Sequence, residues 1–418
     1  MTPRDYLAGL EFHGIKLGLD NIRLLAEAAG QPQNRFASIH VAGTNGKGSV
    51  VAFLDAILRA AGYRVGRFTS PHLIDVNERF LLDAAPIPDA ELDAHIEFFR
   101  DVAAGMDHSP TYFEVATAVA FRYFAERRVD LGLIEVGMGG RFDATNIVSP
   151  LISVITNIAL EHTRYLGDTL EKIAFEKAGI IKERTPVVSA ETESGPIAVI
   201  ESQAKTLGSP VYLLGRDFRY SFEAGQFAYD GPGGSVGPVR LGLPGSYQGV
   251  NAATAVTVIR LVRDRLPGAD DPAIARGLAC ARWPCRLEQV LDAPPVIIDV
   301  AHNPAGARQL AKELRDCVVV LAVASDKDAA AMIDALAPTA SHLILTRFAG
   351  RRAMPLDTLC GAAGSRPSTR TETLAEAIEL GIRLASPQCP LVITGSNFTA
   401  GEARRILTNS YGASGLAF

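Results

Sequence analysis

Short apolar runs alternate with longer segments that carry apolar residues at helical spacing, from residue 36 onward. Ser38-Ile39-His40-Val41-Ala42 reads as a buried strand. Residues 49–61 place Val50, Phe53, Leu54, Ile57 and Leu58 on one face of a helix, and Gly62 is positioned to end it. Leu131-Gly132-Leu133-Ile134-Glu135-Val136 and Leu151-Ile152-Ser153-Val154-Ile155-Thr156 are near-continuous apolar runs, the mark of strands covered on both faces of a parallel sheet. Helical patterns over 89–104 and 113–127 separate these strands, so the first expectation is a parallel α/β fold. Residues 210–243 break the rhythm with short strand-like pieces around Gly231-Pro232-Gly233-Gly234, which predicts a small antiparallel region, and a helix follows over 247–264. A second α/β unit runs from the strand at 296–300 through strands at 318–323, 343–345 and 391–394. Asp292-Ala293-Pro294-Pro295 reads as a linker, which divides the chain into domains 1–289 and 290–418.

A length of 418 residues suggests two or three domains, and 48% hydrophobic content allows a large core. A net charge of −5, from 41 basic and 46 acidic residues, gives no electrostatic footprint for nucleic acid or an anionic membrane. Cys280, Cys285, Cys317, Cys360 and Cys389 are odd in number and form no CxxC pair, which argues against a disulfide framework or zinc site. With no apolar leader after Met1 and no spanning run, the expectation is a cytoplasmic protein, with no nucleic-acid or membrane partner.

Candidate chemistry concentrates after the first strand. Gly43-Thr44-Asn45-Gly46-Lys47-Gly48-Ser49 stands between a strand and a helix, the order a phosphate site requires. Its glycines let the backbone approach phosphate oxygens, Lys47 supplies positive charge, and Ser49 offers a hydroxyl. The spacing departs from the common P-loop, because Val41 stands five before Gly46 and Gly48 follows Lys47.

That loop resembles the one of the Mur ligase superfamily. Further blocks extend the resemblance to its folylpolyglutamate synthase/dihydrofolate synthase family, over about residues 10–407: Thr69-Ser70-Pro71-His72-Leu73, Glu135-Val136-Gly137-Met138-Gly139-Gly140-Arg141, Glu161-His162-Thr163, Glu176-Lys177-Ala178-Gly179-Ile180, Arg282-Trp283-Pro284 with Arg286, Asp299-Val300-Ala301-His302-Asn303-Pro304, and Thr394-Gly395-Ser396. The resemblance implies an N-terminal P-loop-type ATPase domain with a parallel sheet and a C-terminal Rossmann-like α/β domain that carries glutamate-ligase function. It implies a monomeric, ATP-dependent amide ligase that adds L-glutamate to dihydropteroate, to folate, or to both. A Mur-type ligase acting on a different carboxylate is the alternative.

The resemblance also assigns roles. Gly43 to Ser49, Asn251, Arg286 and Asp299 are expected at ATP. Ser70, Glu135 and His162 are expected at Mg2+, joined by Lys177 as a carbamate, and Lys47, His162 and Lys177 form the expected catalytic group. Ile15, Lys16, Leu17, Gly18, Thr111, Tyr112, Phe113, Glu114, Phe142, Asp143 and Ala144 are expected at the folate substrate, and His302 and Ser396 at glutamate. Read without the resemblance, Glu135 in its apolar strand suits a metal ligand, with pairing to a base such as Arg141 as the alternative, a lone His162 suits a structural role, and Tyr112 and Phe113 suit a core. The chain departs from the family pattern at Cys285 and Val300, where glycine is usual, at Glu161, where aspartate is usual, and over 397–400.

Overall fold

The fold is taken from a computed structural model that describes residues 2–10 and 18–418. The chain forms two compact units. The first comprises the chain up to Pro71, Val76–Gly242 and Gln248–Arg282; the second comprises His72–Asp75, Leu243–Tyr247 and Trp283–Phe418.

In the first unit, strands β1 (Ala37–Ala42), β2 (Val65–Phe68), β3 (Phe80–Leu82), β4 (Ala85–Pro86), β5 (Leu131–Glu135), β6 (Ile152–Ile155), β7 (Val187–Ser189) and β8 (Val211–Leu213) form one sheet. Its order is β4-β3-β2-β5-β1-β6-β7-β8, parallel throughout except where β3 joins. Strand β1 is central, with β5 on one side and β6 on the other, so the loops after β2, β5, β1 and β6 leave the same edge side by side. One core gathers Phe68, Phe99, Phe121 and Phe124, and another gathers Ile155, Ile173, Ile180 and Ile200. The expected antiparallel region is the hairpin sheet β9 (Arg219–Glu223), β10 (Gln226–Asp230) and β11 (Val236–Val239).

The second unit has β12 (Glu288–Asp292), β13 (Pro295–Ile298), β14 (Cys317–Leu321), β15 (Ala340–Leu345), β16 (Thr369–Arg370) and β17 (Leu391–Thr394), in the order β12-β13-β17-β14-β15-β16. All neighbours are parallel except β12 with β13. Residues 292–295 are therefore a hairpin turn inside this unit and not a linker, because Asp292 pairs directly with Pro295. A Pro-rich turn and a Pro-rich linker share a composition, and only the pairing partner separates them. The break between the units falls at Arg282/Trp283. No helix among the described residues is long and apolar enough to cross a membrane.

Candidate functional site

The glycine loop leaves β1 at Ala42 and enters the helix Lys47–Ala60 through Gly46, whose φ of +89° suits glycine. The loop is pressed against its neighbours. A Cβ on Gly43 would stand 1.8 Å from Thr156 Oγ1, and one on Gly46 would stand 2.5 Å from Asn251 Oδ1. Asn251, on the helix Gln248–Leu261, is buried and donates to Gln248 Oε1 at 2.8 Å. Two of the loop amides are used within the fold. Thr44 N–H donates to Asn157 O and Asn45 N–H to Asn157 Oδ1, each at 2.8 Å. The amides of Lys47, Gly48 and Ser49 open the helix, where they have no intrahelical acceptor, an arrangement that favours an anion.

Charge gathers beside the loop. Lys47 Nζ donates to Gly43 O and Thr44 O at 3.2 Å each and lies 3.9 Å from Glu135 Oε1. Glu135 ends β5 at 4% exposure, and its Oε2 accepts from Ser70 N–H at 3.3 Å. Arg141 donates instead to Glu176, and a base that does stand beside Glu135 is Lys47. Lys177, buried on the helix Leu170–Ala178, donates to Gly43 O at 2.8 Å. Burial, and then the Lys47 charge, pushes its pKa down to about 7. His162 takes a left-handed φ of +51° ahead of the helix Thr163–Leu166, next to Glu161, whose charge also acts on Lys177. Lys47, Ser70, Glu135 and Lys177 thus surround one loop. Among the described residues, no three His, Cys, Asp or Glu side chains gather as a metal cluster, and the expected set contains only two residues of those types, Glu135 and His162.

The expected folate segments meet at the turn after Glu135. The Phe113 ring lies where a Cβ on Gly137 would fall, 2.5 Å from Cζ, and Asp143 accepts from Met138 N–H at 2.9 Å. Several of these side chains serve the fold. Thr111 caps the helix Tyr112–Glu126, and Glu114 completes the capping box while accepting from Asn21. Asp143 is buried and also accepts from Thr145 N–H and Oγ1, and burial raises its pKa. Thr145 in turn accepts from His40 Nε2 at 2.8 Å. Ala144 and part of Tyr112 join the core, while Phe142 is exposed with the Arg141 guanidinium 4.5 Å over its ring. Gly18 has φ +147°; Ile15, Lys16 and Leu17 lie outside the described residues.

In the second unit the expected residues stand past the ends of β13 and β17. Asp299 is buried and accepts from Leu287 N–H at 3.0 Å and Ala301 N–H at 2.8 Å, with Arg286 close enough to act on its charge. Burial raises both the Asp299 carboxyl and the Tyr247 phenol that bonds to it. His302 Nδ1 donates to Val300 O at 2.9 Å, which orients the ring and keeps a proton on Nδ1. Ser396 caps the helix Asn397–Tyr411 and shares a 2.8 Å bond with Thr399 Oγ1. The turns bearing His302 and Ser396 are joined by Gly395 N–H to Ala301 O at 3.1 Å. Sequence reasoning missed Thr156, Asn157 and Tyr247. For the first two a signal existed, since they directly follow a buried parallel strand at the edge where α/β sheets bind ligands.

Residues 41–259 match the family model described as Mur ligase middle domain, and residues 285–397 match that described as Mur ligase, glutamate ligase domain. The chain is 36% identical to a Bacillus subtilis dihydrofolate synthase/folylpolyglutamate synthase, over 97% of this chain and 98% of that protein. Escherichia coli FolC in complex with DHPP and ADP superimposes with a TM-score of 0.90 at 30% identity, covering 98% of this chain and 99% of that one. A bifunctional folylpolyglutamate synthase/dihydrofolate synthase from Yersinia pestis, complexed with AMPPNP and Mn ion, gives 0.87 at 31% identity over 97% and 98%.

Proposed function

The chain belongs to the Mur ligase family and, within it, to the dihydrofolate synthase/folylpolyglutamate synthases, and from there we propose that it uses ATP to join L-glutamate both to dihydropteroate and to the γ-carboxylate of a folate. The observation that carries this reading is the convergence of Lys47 and Lys177 on Gly43 O, with Glu135 3.9 Å from Lys47. A carboxylate attacking the γ-phosphate of ATP brings two anions together, and the fixed Lys47 cation lowers that barrier. Lys47 and the helix-start amides hold the phosphates while an acyl phosphate and ADP form. The glutamate amine then attacks the acyl carbon and phosphate leaves.

The Glu135 carboxylate, the Ser70 hydroxyl and the His162 imidazole suit a hard divalent cation, for which we propose Mg2+. Bound there, the ion supplies charge stabilisation for phosphoryl transfer. Carbamylation needs a neutral amine, and a buried Lys177 beside Lys47 favours that form; the carbamate adds an oxygen donor to the same set. We assign Asn251 and Arg286 to the nucleotide, and His302 with Ser396 to glutamate. On the folate side Tyr112, Phe113 and Phe142 supply the apolar wall, since Glu114 and Asp143 are engaged within the fold. Five free cysteines suit a monomer in a reducing cytosol.

The test is incubation with ATP, Mg2+, labelled glutamate and either dihydropteroate or tetrahydrofolate. Labelled product and ADP are expected with both acceptors, and Lys47→Ala is expected to abolish both. Glutamate-dependent ADP release that survives in Lys47→Ala sinks the mechanism. Product with neither acceptor moves the substrate to a different carboxylate.

A further inference from the structure

The segment after β6 grips the phosphate loop. Thr156 Oγ1 donates to Asn45 O at 2.7 Å, Asn157 takes the Thr44 and Asn45 amides, and Ala159 N–H donates to Thr44 Oγ1 at 3.0 Å. The same segment is held from behind by Glu191, which follows β7 and is 2% exposed. Glu191 Oε2 accepts from Ile158 N–H at 2.6 Å, and its Oε1 accepts from Thr192 and Glu193 N–H at 2.8 Å each. A buried carboxylate saturated by main-chain amides is a strong anchor, because hydrogen bonds to an ionised acceptor exceed neutral ones. Three residues beyond Ala159 the chain reaches His162.

We propose that residues 156–159, fastened by Glu191, are a latch that sets the phosphate loop in its receiving shape and delivers His162 in the same rigid piece. Thr156, Asn157 and Glu191 are then positioning residues for the nucleotide half of the reaction. This rests on the ligase reading and deepens it. The latch turns the Thr44 and Asn45 amides inward, which leaves the helix-start amides aimed outward. Without it the loop must be ordered when nucleotide arrives, and that entropy cost is taken from affinity.

The experiment compares full-length Thr156→Val, Thr156→Ser and Glu191→Gln with the parent. Calorimetric ADP affinity and KM values for ATP and glutamate are measured on proteins checked by circular dichroism. Valine keeps the shape and removes the donor, whereas serine keeps the donor. Thr156→Val is expected to weaken ADP binding and raise KM for ATP by about tenfold, the net worth of roughly one hydrogen bond. KM for glutamate should hold, Thr156→Ser should restore ADP affinity, and Glu191→Gln should follow Thr156→Val. A folded Thr156→Val with parental ADP affinity overturns the latch, and so does equal damage from valine and serine. Should Glu191→Gln fail to fold, the Thr156 pair decides alone. A parent that binds ADP but forms no glutamyl product refutes the ligase reading and leaves the latch to the ADP titrations; a parent that does not bind ADP refutes both.

Discussion

Cys285 has a left-handed φ of +57° and is fully buried, at a position where the family pattern has glycine. A side chain there costs about 1–2 kcal/mol of backbone strain. Both Cys285→Gly and Cys285→Ala lose the buried sulfur and only glycine relieves the strain, so Cys285→Gly is expected to be the more stable to urea; the reverse order would show that the strain is absorbed elsewhere. Val300, the other departure from glycine, is not among the positive-φ residues and packs in the core, so glycine is dispensable there. The two departures look alike in the sequence and differ only in a dihedral that sequence does not display. Gly43 is the opposite case: with φ +144° and Thr156 in the way, Gly43→Ala is expected to cost roughly 1–3 kcal/mol and most of the nucleotide affinity, readable by urea titration and ADP calorimetry. His40 gives a pH signature. Thr145 donates to Asp143, so His40 Nε2 must be the donor to Thr145, and burial holds the ring neutral with a pKa pushed down to about 3. Its unfolded pKa is near 6.5, so its contribution is intact above that pH. It is lost at about 1.4 kcal/mol per pH unit on acidification towards 3. His40→Gln keeps the donor and should flatten the stability–pH slope between pH 6 and 4, and an unchanged slope would contradict the assignment.

At the scale of elements, apolar periodicity located the central strands of both sheets because burial on both faces leaves a continuous signal, as in β5 and β6. It could not distinguish a capping residue from a ligand. Thr111 and Glu114 were expected at substrate, yet they form the box that starts the helix Tyr112–Glu126. Thr111→Ala is expected to lower stability by about 1 kcal/mol without changing KM for the pteroate acceptor; a raised KM at unchanged stability would return Thr111 to the substrate. The loop at 43–49 was legible from its strand–glycine–helix order. The bonds that hold it come from residues more than a hundred positions away, a distance over which spacing carries no information.

At the scale of the whole molecule, the second unit is discontinuous in sequence. Leu73 packs against its core with Val296 and Ile393, and Tyr247 bonds to Asp299. A fragment of residues 283–418 lacks both and is expected to melt without the cooperative transition of the intact chain; a fragment with an equally sharp transition would show those pieces to be dispensable. The interleaving also imposes an order on synthesis. Leu73 leaves the ribosome while its partners are still untranslated, and at about 5–20 residues per second the wait is on the order of ten seconds or more. For that interval its hydrophobic side chain has no core to enter, so a nascent chain stalled before residue 283 should expose this segment to chaperones or proteases that the finished protein excludes.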